Sequence, residues 1–119
     1  MATLSRIAPE IPVSNLQESI EFYQHRLGFQ VAAVMPDQDY AIVARDAIAI
    51  HLFADNGRSH ARVAMHIFTQ ELDQLHEEFQ RRGAQVTHGI TRRPWGNRDF
   101  RLKDDSGNEL KFTEPQSGS

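Results

Sequence analysis

Leu27-Gly28-Phe29-Gln30-Val31 and Arg82-Gly83-Ala84-Gln85-Val86 carry one pattern twice. In each, a glycine closes a run of helical spacing and an extended segment begins, as at a helix end with a C′ glycine. Reading outward gives the same order of elements around both. Upstream of Gly28, Leu16, Ile20, Tyr23 and Leu27 recur at helical intervals. In front of them Ser14-Asn15-Leu16-Gln17 reads as a capping box, with Ser14 and Gln17 satisfying the free N–H groups of the first turn. Upstream of Gly83, Leu72, Leu75 and Phe79 form the second stripe. A predicted strand precedes each helix: 4–13, with Ile7, Ile11 and Val13 on one side, and 62–69. Three extended segments follow each glycine: 29–35, 40–45 and 47–54 in the first copy, 84–88, 98–103 and 108–113 in the second. Pro36-Asp37-Gln38-Asp39, Asp46 and Asp104-Asp105-Ser106-Gly107-Asn108 supply the turns.

Shared letters support a duplication. Asp39-Tyr40 parallels Asp99-Phe100, and His51-Leu52-Phe53 loosely parallels Leu110-Lys111-Phe112. The copies lie about 55 to 60 positions apart, the scale of an internal supersecondary repeat. The expectation is one α+β domain over 1–119. It consists of duplicated βαβββ modules, about 1–58 and 59–115, forming a curved mixed sheet with helices on its outer face. A disordered tail is expected at 116–119.

Composition narrows the function. The chain has 119 residues, 39% hydrophobic and 24% charged, which suits one globular domain with a real core. It has no cysteine, so disulfides, thiolate chemistry and Cys-bound zinc are excluded. The net charge of −3 comes without a basic stripe, which argues against nucleic acid as a partner. No apolar run is long enough to cross a bilayer, and Met1-Ala2-Thr3-Leu4-Ser5-Arg6 lacks the apolar segment of a signal peptide. A cytoplasmic protein with no membrane partner is expected.

Strand alternation then describes the sheet face opposite the helices. With Ile48, Ile50 and Leu52 toward the helix, Ala49, His51 and Phe53 face away. With Val63, Met65 and Ile67 inward, Arg62, Ala64, His66 and Phe68 face away, as do Glu109, Lys111 and Thr113. Aromatic and ionisable side chains mixed on one face suit a ligand-lined trough, and equally a face closed by a dimer partner. Arg93-Pro94-Trp95-Gly96-Asn97-Arg98 places the single tryptophan on a shaped loop. There it either presents its flat face to a planar ligand or folds back as a core plug. His51 and His66, with Glu10 or Glu109, invite a metal reading, but no tight ligand spacing supports it. No phosphate loop or nucleophile elbow occurs.

Ser14-Asn15-Leu16…Glu21-Phe22-Tyr23…Leu27-Gly28-Phe29 near the start and Asp105-Ser106-Gly107-Asn108 near the end resemble the vicinal oxygen chelate superfamily, the glyoxalase, bleomycin-resistance and extradiol dioxygenase group. The resemblance covers nearly the whole chain. It implies metal-ligand positions on the first and last strands of each module. These fall on Ala8, Lys111 and near Arg62, with His51 near the fourth. An alanine and two cations do not hold a cation, so an enzyme of the glyoxalase or dioxygenase kind is not expected. No metal or other cofactor is expected either.

The chain looks closest to the metal-free bleomycin resistance proteins, through Glu21-Phe22-Tyr23-x-x-Arg26-Leu27-Gly28-Phe29 and Pro94-Trp95-Gly96-x-Arg98-x-Phe100. That resemblance implies a homodimer with ligand crevices, Pro9 marking an N-terminal strand exchanged between subunits. It further implies sequestration of a bleomycin-type glycopeptide antibiotic without chemistry. Trp95 and Gly96 would flank the antibiotic's planar group. Tyr40, His51, Phe53, His66 and Phe68 would line the crevice. Two other readings stand beside this one: a metal-dependent enzyme using His51, His66 and Glu109, and a binder of another planar metabolite. An anionic aromatic ligand would suit Arg62 and Lys111.

Overall fold

The computed structural model describes residues 1–116. Among these, the first module runs β1 (Glu10–Val13), α1 (Leu16–Glu21), β2 (Gln30–Met35), β3 (Tyr40–Arg45) and β4 (Ile48–Ala54). The second runs β5 (Ala64–Phe68), α2 (Leu72–Arg81), β6 (Val86–Arg92), β7 (Arg98–Lys103) and β8 (Glu109–Glu114). The expected βαβββ order is therefore present twice, in an α+β fold.

The strands form two four-stranded sheets, ordered β1-β4-β3-β2 and β5-β8-β7-β6, instead of one continuous sheet. In each, the first strand pairs parallel with the last and the remaining pairs are antiparallel. Each helix crosses from the edge strand over the sheet, so the crossover buries the helical stripe against the strands. Ile20, Tyr23 and Leu27 pack against Ile11, Val43, Ile50 and Leu52 within one buried cluster. Leu72 and Phe79 belong to the same cluster with Phe100, Leu102, Leu110 and Phe112. The Phe79 ring meets Phe112 edge-on at 5.0 Å and Phe100 at 6.0 Å. A fully buried aromatic of this kind contributes about 1.5–3 kcal/mol by area alone.

Several local expectations need correction. The first strand begins at Glu10, not at 4. Residues 1–9 are irregular, and Ile7 is 93% exposed where a core position was expected. Past the His51 N–H bond to the Pro9 carbonyl, this arm has no strand beside it within the chain, and Pro9 has no N–H to donate. The helix cap is Asn15, whose side chain accepts from the Glu18 N–H. Ser14 instead donates its N–H to Ser106 Oγ, and Gln17 reaches Glu21. After Glu21 the helix widens into a π turn over Phe22–Arg26. Ile48 shares the helix-side face but is 36% exposed, left uncovered at the edge of that face. The segment expected at 84–88 is strand from Val86 to Arg92. Gln116, grouped with the tail, donates its N–H to Asn97 Oδ1; positions 117–119 lie outside the described residues.

The Asp104–Asn108 turn is the joint between modules. Asp104 accepts from the Tyr23 hydroxyl at 2.8 Å and from the Ser106 and Asn108 N–H groups. The Asn108 side-chain amide donates to the Pro12 carbonyl in β1. Thus the turn that closes the second sheet also anchors the helix and first strand of the first module.

Candidate functional site

The sheet faces turned away from the helices carry the residues the sequence singled out, in three separate places. On the first sheet, Tyr40 and His51 lie on β3 and β4, above Glu10 of β1. The Tyr40 hydroxyl donates to Glu10 Oε2 at 2.7 Å and stands 2.7 Å from His51 Nδ1. Partial burial and the Glu10 hydrogen bond raise the Tyr40 phenol above its ordinary value, so it stays protonated at neutral pH. Phe53, next on this face, meets the His60 ring edge-on at 5.4 Å.

On the second sheet, His66 and Phe68 stack at 6.1 Å, and His66 Nδ1 lies 3.0 Å from Thr113 Oγ1. Phe68 is 63% exposed. Thr113, expected on the open face, is buried beneath that histidine. Arg62, expected to reach into the trough, stands before β5 begins; its guanidinium is 4.0 Å from Asp55 and its stem packs over Gly107. Lys111 does face the trough, with Glu109 at 3.9 Å.

Trp95 and Gly96 form the tip of the β6–β7 hairpin. The turn is closed by the Gly96 N–H to the Arg93 carbonyl and by Arg93 N–H to the Asn97 carbonyl. Arg92 donates to the Gly96 carbonyl. Gly96 has φ of 104°, a conformation that side chains with a Cβ disfavour. The hairpin is stiffened from below by Arg93, whose Nη2 and Nε hold Asp99 at 2.7 and 3.1 Å. Burial pushes the Asp99 carboxyl up, but hydrogen bonds from Arg93 and Arg101 outweigh this and hold it below its ordinary value. On this base Trp95 stands 63% exposed and does not plug the core.

Among the described residues, no hydrogen bond or ring contact links the first-sheet group to the second-sheet group, and the two lie on different sheets. Nor does any group of three or more His, Asp or Glu side chains gather to hold a metal ion among them. His51 is engaged with Tyr40, His66 with Thr113, and Glu109 with Lys111, so this trio is not a ready ligand set. The residues present do not fit the metal that the superfamily's enzymes use.

Two features escaped the sequence reading. One is Arg101, which together with His88 continues the line of Lys111 across the sheet. Its place at two-residue spacing from Asp99 on a strand was visible, but its cross-strand neighbours depend on register. The other is a cleft of about 400 Å³ on the helix side, between Ile48 of β4 and Ile67, Leu75 and Phe79 of the second module.

The paired βαβββ modules with a free face on each sheet define the class of protein. The sequence profile of the glyoxalase/bleomycin resistance protein/dioxygenase superfamily matches residues 3–112, and the chain belongs to that superfamily. A bleomycin resistance determinant encoded on the transposon Tn5 is similar at 20% identity and a TM-score of 0.83, over 93% of this chain and 98% of that one. A bleomycin-binding protein crystallised with bleomycin matches at 19% identity and 0.83, over 95% and 100%. A lactoylglutathione lyase from Agrobacterium tumefaciens matches at 18% and 0.77, over 95% and 96%. At these identities the likeness is one of fold, and it spans binders and enzymes alike. No curated protein matches by sequence.

Proposed function

We infer that this chain is a non-enzymatic binding protein that sequesters a planar ligand, in the first instance a bleomycin-type glycopeptide antibiotic, and so confers resistance. The observation that carries the reading is Trp95: a large aromatic held 63% exposed on a hairpin built to present it. Exposing an indole forgoes the free energy of burying it, and stacking on a planar ligand recovers that. The placement of the two groups on different sheets supports a homodimer whose second copy completes the crevice. The N-terminal arm supports strand exchange, since Leu4 is 99% and Ile7 93% exposed with nothing among the described residues to cover them. Tyr40, His51, Phe53, His66 and Phe68 are then crevice-lining residues. Ala8 and Lys111 at the superfamily's ligand positions support the absence of catalysis. A cytoplasmic site of action fits a cysteine-free binder.

The test is a fluorescence titration with metal-free and copper-loaded bleomycin. One tryptophan gives the signal a single source, and the Trp95→Phe variant serves as blank. Saturable quenching at one ligand per chain is expected. No response at tens of micromolar ligand overturns the antibiotic assignment.

A further inference from the structure

The cross-strand register of the second sheet places four basic residues in one row. His66 of β5 is opposite Lys111 of β8, Lys111 is opposite Arg101 of β7, and Arg101 is opposite His88 of β6. Directly opposed residues share a face, so His66, Lys111 and Arg101 form a row on the open side of the sheet, which His88 joins where β6 is bulged on either side of it. Like charges in such positions repel, and the fold supplies little to offset it. Among the described residues, Lys111 has only Glu109 at 3.9 Å, and Arg101 only Asp99 at 3.5 Å. Asp99 is already taken by the short bidentate contact with Arg93. Arg101 Nε is buried and has no hydrogen-bond acceptor at all. The repulsion of the Arg101–Lys111 pair is only partly offset by the long Glu109 and Asp99 contacts. A negatively charged group lying over the row would relieve the Arg101–Lys111 repulsion. The neighbouring row, Phe68, Thr113, Asp99 and Thr91, puts the exposed Phe68 ring beside it.

We propose that this row is an oxyanion subsite, and that the planar ligand of the trough carries a carboxylate or similar oxyanion held by Arg101 and Lys111. The guanidinium fork suits a flat two-oxygen acceptor, and Lys111 adds a point charge. The assignment rests on the reading of the open face as a ligand trough. It predicts that anionic planar molecules bind better than cationic ones of the same shape, and that a basic antibiotic is a modest ligand.

Isothermal titration calorimetry with three probes sharing one ring tests it: 1-naphthoate, naphthalene-1-methanol and 1-naphthylmethylammonium. Naphthoate is expected to bind at least about tenfold more tightly than either of the others, with the advantage shrinking as salt is raised. Lys111→Gln should remove most of that advantage, while Lys111→Arg should retain it. Equal affinity for the three probes, or a naphthoate advantage that survives both salt and Lys111→Gln, overturns the subsite. If the glutamine variant does not fold, the salt dependence and the arginine variant decide. Failure of all three probes alongside bleomycin quenching of Trp95 sinks the oxyanion subsite and leaves the antibiotic reading standing. Naphthoate binding without bleomycin binding does the reverse, and silence from every ligand overturns both.

Discussion

Two aromatic residues with opposite surroundings show what single side chains do here. Tyr23 is fully buried and its hydroxyl donates to Asp104 at 2.8 Å. Burial, then the nearby Asp104 charge, push the phenol well above its ordinary value, so it remains a donor throughout the usable pH range. Tyr23→Phe removes one of the bonds that tie α1 to the Asp104–Asn108 turn. The loss expected for a hydrogen bond to a carboxylate is about 1.5–3 kcal/mol, read from urea unfolding midpoints. Ligand affinity should not move. Trp95→Ala should behave in the opposite way. At 63% exposure the indole contributes little to stability, so the unfolding midpoint should hold. Binding of the planar ligand should weaken by about 1–3 kcal/mol, the range for an aromatic anchor. A Trp95→Ala variant that binds normally would show that the indole is not the stacking surface.

At the scale of elements, the contact between α2 and the first module is electrostatic. Arg45 at the end of β3 donates to both Glu78 carboxylate oxygens, at 2.7 and 2.9 Å, and to the Leu27 carbonyl. Arg82 adds a third contact to Glu78 at 2.7 Å. Hydrogen bonds from Arg45, and after burial's opposing effect those from Arg82, hold the Glu78 carboxyl below its ordinary 4.5. A carboxylate whose folded value is depressed stabilises the fold above its unfolded value. That contribution disappears as pH falls through the folded value. Asp105 has the opposite sign: burial raises it, so it favours the fold below 3.8 and loses that effect as pH rises. The expected outcome is declining stability below about pH 4.5, with a shallower decline in Glu78→Gln, which should also be less stable at neutral pH. Chemical denaturation across this range measures both. An unchanged acid slope in the variant would assign the pH dependence to other carboxylates, Asp99 among them. These elements also show what sequence alone could and could not convey. β3 and β7 match their predicted bounds because alternation runs through them uninterrupted, with Ala41, Val43, Phe100 and Leu102 buried. Residues 4–9 (Leu4-Ser5-Arg6-Ile7-Ala8-Pro9) alternate only weakly, and among the described residues they have no partner strand. Ser14 and Asn15 are both good cap residues, and only the backbone at Asn15 decides between them. Pro94 and Gly96 mark a shaped loop around Trp95 but leave open whether the indole faces outward or plugs the core; it is 63% exposed. The separation of His51 from His66 was not legible, because it depends on the strands forming two sheets.

The whole molecule is broader than its length requires. Its radius of gyration is 15.0 Å and its extents are 45 × 45 × 26 Å, against about 13.5 Å for a compact chain of this size. Two features account for the spread: sheets with one open face each, and the N-terminal arm bearing Leu4 and Ile7. Both would be covered if two copies joined through a two-fold axis, each lending its arm to the other. Exposed apolar side chains on this irregular arm pack against no core within the described residues, so removing them should not harm the fold. Removal of residues 1–8 is therefore expected to leave the circular dichroism spectrum intact while converting a dimer to a monomer, seen as a halved mass by light scattering. The full-length melting temperature should rise with protein concentration, and that of the truncated chain should not. Planar-ligand binding should fall with the dimer if, as proposed, the second copy completes the crevice. A full-length chain that is monomeric at every concentration would overturn strand exchange. A truncated chain that remains dimeric would instead place the interface on the sheet faces alone, with the arm a bystander.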